Sequence, residues 1–149
     1  INNVIVINPG QGYIPVALSR LKQIEKIILV DRNLQSLEVS RRNLILNGFS
    51  KEKILLSHQI DILLKEENDI NSIVGVVPEK QNDKVHKMLI SQSTKQLKAN
   101  GVIILSSSSN VIFKIGRIIH STKGLRILRN VRFRGKRVII ARIKSNNDI

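Results

Sequence analysis

The chain opens on a short apolar block, Val4-Ile5-Val6-Ile7, and blocks of the same kind return at intervals between more polar stretches. A β-branched run of this length, bounded by Asn3 and Asn8, fits a strand covered on both faces. Further strands are expected over residues 26–30, 53–57, 72–77 and 102–105. Between them the apolar period lengthens to that of a helix. Residues 14 to about 23 offer Val16, Ala17 and Leu21 to a sheet. Asn33 is a good N-cap for a helix carrying Leu34, Leu37, Arg41, Leu44 and Ile45, which Gly48 closes. Residues 83–97 place Val85, Met88 and Leu89 on one helical face, with Asn100-Gly101 as the stop. Residues 111–120 carry Ile112, Phe113, Ile115 and Ile119 at helical spacing. Residues 65–71 read as polar loop or frayed helix, and the serine run 106–109 as loop plus N-cap. Two last strands, about 126–132 and 137–143, flank Arg134-Gly135-Lys136 as a hairpin.

Alternation of strand and helix through most of the chain argues a mostly parallel sheet with helices on both faces, and the closing hairpin adds an antiparallel edge. Ligands in such sheets sit beyond the carboxyl ends of the strands. That rule gathers the Gly10-Gln11-Gly12 turn, Asp31, Asp61 and the segment 76–79 around one crevice. Gly10 and Gly12 let the backbone turn sharply and approach a ligand, and Pro15 suits the first turn of the helix that follows. The turn aims helix N-terminal amides at whatever lies above the first strand, a setting for a nucleoside or nucleotide. A tight strand-to-helix turn with no ligand is the plain alternative.

Charge narrows the partners. The 149 residues carry a net charge of +14, and every acid except Asp148 lies at or before Asp83. From Lys114 to Lys144 there are Arg and Lys throughout and no acid, a self-repulsion that a polyanion relieves. A merely solvated, solubilising surface is the bland reading. With one Tyr, three Phe and no Trp, phosphate contacts rather than aromatic stacking must supply most affinity for nucleic acid. Arg132, Arg134, Lys136 and Arg137 are the best candidates for RNA contact. Absence of cysteine excludes disulfides, thiolate metal sites and cysteine nucleophiles. His58, His86 and His120 have no metal-ligand spacing and read as surface or loop residues, so no metal site is expected. No apolar run reaches the roughly 20 residues of a membrane span and no signal pattern precedes the first strand, so a cytoplasmic setting is expected. One domain, 1–149, is expected, and its start at Ile1 almost inside a strand allows it to be a piece of a longer chain.

Several stretches together resemble the Rossmann-like, class I S-adenosylmethionine-dependent methyltransferases, and among them the small domain of ribosomal RNA guanine-N2 methyltransferases. Residues 4–12 lie over the family's first strand and Asp-x-Gly-x-Gly-x-Gly turn. Leu29-Val30-Asp31-Arg32-Asn33 matches its second strand, Asn43 through Asn47-Gly48 its Asn-x-x-x-Asn-Gly helix end, and residues 97–103 its Leu-Lys-Pro-Gly-Gly entry to strand five. The resemblance implies a seven-stranded sheet ending in the antiparallel hairpin, with S-adenosylmethionine as cofactor. It implies that Asn8, Gly10 and Gly12 approach the methionine end, that Asp31, beside Arg32, grips the ribose, and that Asp61 and Ile62 contact adenine. Pro78 and Glu79 fall in the segment that holds the target base. Val6 replaces an acid, Asn8 a glycine, and Val76-Val77-Pro78-Glu79 the family's Asn-Pro-Pro-Phe. The readings that follow are an RNA methyltransferase, acting on a ribosomal RNA base nitrogen, or a catalytically silent RNA-binding module of the same shape. A dinucleotide-dependent oxidoreductase is a distant third, because Pro15 stands in place of the third glycine.

Overall fold

The computed structural model describes residues 2–60 and 69–145. Its strands are β1 (Asn2–Ile7), β2 (Ile24–Val30), β3 (Ile54–Ser57), β4 (Ile70–Val76), β5 (Leu97–Ser107), β6 (Leu125–Phe133) and β7 (Lys136–Ile143). The α-helices among the described residues are α1 (Tyr13–Ser19), α2 (Leu34–Leu46), α3 (Asp83–Gln96) and α4 (Ser109–Ser121), and a short 3-10 turn at Lys51–Lys53 precedes β3. One sheet runs β3-β2-β1-β4-β5-β7-β6, parallel except where β7 pairs antiparallel with β5 and β6. The expected seven-stranded Rossmann-like methyltransferase sheet is therefore the observed one. Strand order reverses between β1 and β4, the switch point at which such sheets open a crevice.

Period two along β1 and β2 divides their side chains between two layers. Val4, Val6, Ile27 and Leu29 pack with Leu37 and Leu44 of α2. Ile5, Ile7, Ile28 and Val30 join Ile73, Ile90, Ile103, Ile112 and Ile115 on the α3/α4 side. Both sets are buried, as the uninterrupted apolar run requires. Further out on the α1/α2 face, Val102, Ile104, Val138 and Ile140 stay half-buried.

Several local expectations need correction. α1 has only seven residues, because turns at Leu21 and Ile24 bring the chain straight into β2. Its inward residues are Ile14, Pro15, Val16 and Leu18, while Ala17 and Leu21 are exposed. On α2, Leu34 and Ile45 face outward, and Ser40 joins Leu37 and Leu44 inside. Asn33 caps α2 as expected, its side chain accepting from the Gln35 and Ser36 N–H groups. α3 stops at Gln96, because Leu97 already pairs with Ile70; the register break after that pair absorbs the residues up to Gly101. The fully buried stripe of α3 is His86, Ile90, Ser93 and Gln96, while Val85, Met88 and Leu89 share another face, as expected. His86 is 1% exposed, so the surface reading is wrong for it. The stripe that turns inward is the one α3 sets against α4 and β5. Ser106 and Ser107 finish β5 instead of forming loop, and Ser108 is an N-cap without a side-chain bond. Of the expected 65–71 loop, residues 65–68 lie outside the described residues, and Ile70 and Asn71 belong to β4. The closing hairpin turns through Arg134 and Gly135, φ 47° and 77°, matching the twist of its strands.

Candidate cofactor crevice and basic rim

The turn after β1 is built from unusual backbone. Asn8, Gly10 and Gly12 all have positive φ, 50°, 58° and 94°. A Cβ on Gly12 would sit 3.0 Å from Ser40 Cα, so glycine there permits close packing of the turn on α2. Helix α2 fixes the turn's carbonyls. Ser40 Oγ donates to Gly10 O at 3.0 Å, and Asn43 Nδ2 donates to Gln11 O at 2.6 Å. On the other side Asn8 Nδ2 donates to Val76 O at 2.9 Å, which ties the end of β1 to the end of β4 across the switch point. Ser40, and the clamping role of Asn43, were not foreseen; an Asn at that helix position was the only hint in the chain.

Beside this turn lies a cleft of about 270 Å³. Its walls include Ile7, Asn8, Val30, Asp31, Arg32, and Ile60, closed by one face of α3. The stripe Val85, Met88, Leu89, with Gln92, supplies that face, and Leu89 also packs against the core beneath it. Gln81 and Gln59 add amide groups that sequence reasoning missed, since an isolated Gln carries no motif. Asp31 stands at the carboxyl end of β2, held by its N–H to Ser57 O at 3.2 Å. One carboxylate oxygen accepts the Asn33 N–H at 2.9 Å; the other has no partner among the described residues. The His58 ring nitrogen lies 3.2 Å from the Asp31 carbonyl oxygen.

These groups fit the nucleoside half of S-adenosylmethionine. A free carboxylate oxygen suits a ribose hydroxyl, and Val30, Ile60 and Leu89 offer apolar contact to a base. Val6 does not reach the crevice, because it is buried at 0% exposure in the α1/α2 layer. Tyr13 stays out of it as well, 78% exposed with its hydroxyl donating to Gln11 Oε1 at 3.1 Å. Of the turn, Asn8 lines the cleft, whereas Gly10 and Gly12 stand outside its lining, Gly12 packed on Ser40. Asp61 and Ile62, the expected adenine contacts, lie outside the described residues.

The segment after β4 is pinned at Val77. Val77 N–H donates to Ser106 O at 2.9 Å, and Ser107 Oγ donates to Val77 O at 2.7 Å. Pro78 and Glu79 are exposed and stand outside the cleft lining. Glu79 Oε1 meets Lys136 Nζ at 3.5 Å. Both side chains are largely exposed, so the pair contributes about 0–1 kcal/mol and opens easily. That contact brings the hairpin tip to the carboxyl edge of the sheet, where Arg137 pairs with Ser107 at the end of β5. Arg132 and Arg137 face each other in register, a like-charge pair that costs energy without an anion. Arg137 Nη1 donates to Asn130 Oδ1 at 3.2 Å, and the Arg134 guanidinium lies 5.3 Å from the Phe133 ring centre. All four residues expected to contact RNA thus sit at or next to the hairpin tip, at the carboxyl edge of the sheet. Among the described residues no His, Asp and Glu cluster suits a metal ion, and no helix is long and apolar enough to cross a membrane.

Comparison with known proteins agrees with this geometry. The family profile described as methyltransferase small domain matches residues 1–120. A ribosomal protein L11 methylase from Lactobacillus delbrueckii subsp. bulgaricus superimposes with a TM-score of 0.77 at 19% identity, over 96% of this chain and 70% of that one. A Clostridium thermocellum protein described as an rRNA methylase gives 0.76 at 10% identity, over 97% and 87%. The N-methyltransferase NodS of Bradyrhizobium japonicum WM9 gives 0.72 at 13% identity, over 97% and 86%. Comparison with curated protein sequences finds no match.

Proposed function

The chain belongs to the methyltransferase small domain family, whose cofactor is S-adenosylmethionine, and on that premise we propose that it methylates RNA, with a ribosomal RNA base nitrogen as acceptor. The observation that carries the RNA assignment is the position of the basic hairpin tip. Arg132, Arg134, Lys136 and Arg137 occupy the same sheet edge as the crevice, with Lys136 against Glu79. A polyanion held there relieves the Arg132–Arg137 repulsion and presents its bases to the segment Val76–Val77–Pro78–Glu79.

When bound, the cofactor supplies an electrophilic methyl group on a sulfonium. Asp31 holds the ribose through its free oxygen, and the Asn8–Gly12 backbone, clamped by Ser40 and Asn43, receives the other end. Glu79 accepts a hydrogen bond from the target amine once phosphate draws Lys136 away, a change the weakness of that ion pair permits. Rate enhancement then comes chiefly from proximity and orientation. One observation favours the second reading, a silent RNA-binding module: Pro78 and Glu79 stand outside the lining of the cleft.

The test is transfer of labelled methyl from S-adenosylmethionine to pooled ribosomal RNA, total protein and small-molecule extracts in parallel. Label in RNA, lost in the Arg132→Ala/Lys136→Ala/Arg137→Ala variant, is expected. Label in protein or small molecules alone overturns the RNA assignment. RNA binding without label supports the silent module.

A further inference from the structure

Helix α3 separates two concave surfaces. Val85, Met88, Leu89 and Gln92 face the cofactor cleft, whereas Asp83 and Lys87 face a larger groove of about 720 Å³ between α3, α4 and β6. We propose that this groove is a second nucleic-acid contact surface that carries single-stranded RNA flanking the target nucleotide; it rests on the RNA reading above.

Helix α4 is split cleanly. Ile112, Ile115 and Ile119 are buried, and the opposite stripe of Phe113, Lys114, Arg117 and His120 lines the groove. Lys114 and Arg117 lie one helical turn apart, and Lys87 faces them from α3. Among the described residues none of Lys87, Lys114 or Arg117 is in an ion pair, and Asp83 is the single acid of the lining. Phe113 is 66% exposed at the same wall, a bare ring in a chain with few aromatics and a stacking platform for one base. The groove is continuous with the hairpin. Asn130 lines its β6 wall and accepts the Arg137 guanidinium at 3.2 Å, so a strand leaving the tip enters the groove directly. Charge complementarity commits the occupant to a polyanion, and the exposed ring favours nucleic acid over an acidic peptide.

Fluorescence anisotropy with an end-labelled uridine 20-mer, titrated with the whole chain at several salt concentrations, tests this. Lys114→Ala/Arg117→Ala is expected to weaken binding and to lower the salt slope by about 1.4, at about 0.7 per lost single-strand phosphate contact. Phe113→Ala is expected to weaken it between about 5- and 150-fold, the equivalent of about 1–3 kcal/mol per stacked base. Affinity for S-adenosylmethionine stays unchanged in both. If the hairpin variant weakens binding while both groove variants match wild type, the groove is a solvated face and the inference fails alone. If wild type binds no RNA at all, the RNA reading and the inference fall together. Equal competition by poly-glutamate would overturn the assignment to nucleic acid.

Discussion

Gly75 in β4 pairs with Ile7 in β1 at the switch point. A Cβ built on it falls closer than 3.0 Å to both Ile7 Cγ1 and the Ile7 carbonyl oxygen, a separation that real Cβ atoms essentially never show. Gly75→Ala must therefore push two central strands apart. Alanine otherwise gains about 0.5–1 kcal/mol over glycine inside a strand. Overpacking costs about 1–3 kcal/mol, with the upper end applying where backbone is struck. The expected net loss is about 2 kcal/mol, or a fall of about 4–8 °C in Tm for a chain of this size. Because Ile7 lines the cofactor cleft, affinity for S-adenosylmethionine falls with it. Gly116→Ala is the matched control. It lies inside α4, its Cβ would rest 3.5 Å from Ile139 Cδ1 in ordinary contact, and a gain of about 0.5–1 kcal/mol is expected. Urea unfolding followed by circular dichroism, with unchanged m values, reads both. Wild-type stability in Gly75→Ala, or a loss in Gly116→Ala, refutes the packing described at these two sites.

Two more predictions concern buried polar groups. His86 is buried, neither ring nitrogen is hydrogen-bonded among the described residues, and burial, opposed by Asp83 and aided by Lys114, lowers its pKa. The unfolded chain then takes up the proton first, so stability is complete above the ordinary imidazole value of about 6.5 and declines as pH falls below it; His86→Leu should lose that decline in pH-dependent urea midpoints, and a decline unchanged in the variant assigns it elsewhere. Ser107→Ala leaves the buried Val77 carbonyl without its 2.7 Å donor, a loss of about 1–3 kcal/mol by urea unfolding; a neutral result means the segment before Pro78 is not held there.

The architecture was legible because it rests on period and punctuation. Asn33 as a cap, Gly10 and Gly12 in a turn, and Arg134-Gly135 in a hairpin each behave as their local chemistry dictates. What escaped was set by docking. Val85, Met88 and Leu89 do share one face of α3, but that it lines the cleft, and that His86 and Ser93 are the fully buried groups, depends on what the helix packs against. Of the site, Asp31 and the turn could be read from the chain, because a ligand approaching bare backbone demands particular residue types. Ser40, Gln81 and Asn130 could not, since their roles depend on neighbours distant in sequence.

Calorimetric titration with S-adenosylmethionine tests most directly whether Asp31 holds a nucleoside over β1 and β2. Wild type should give saturable heat, weakened about 10- to 150-fold in Asp31→Asn, as loss of a charged hydrogen-bond partner of about 1.5–3 kcal/mol requires. The Asn side chain keeps an acceptor for the Asn33 N–H, so the turn survives the change. No heat from wild type, or equal affinity in the variant, would contradict it.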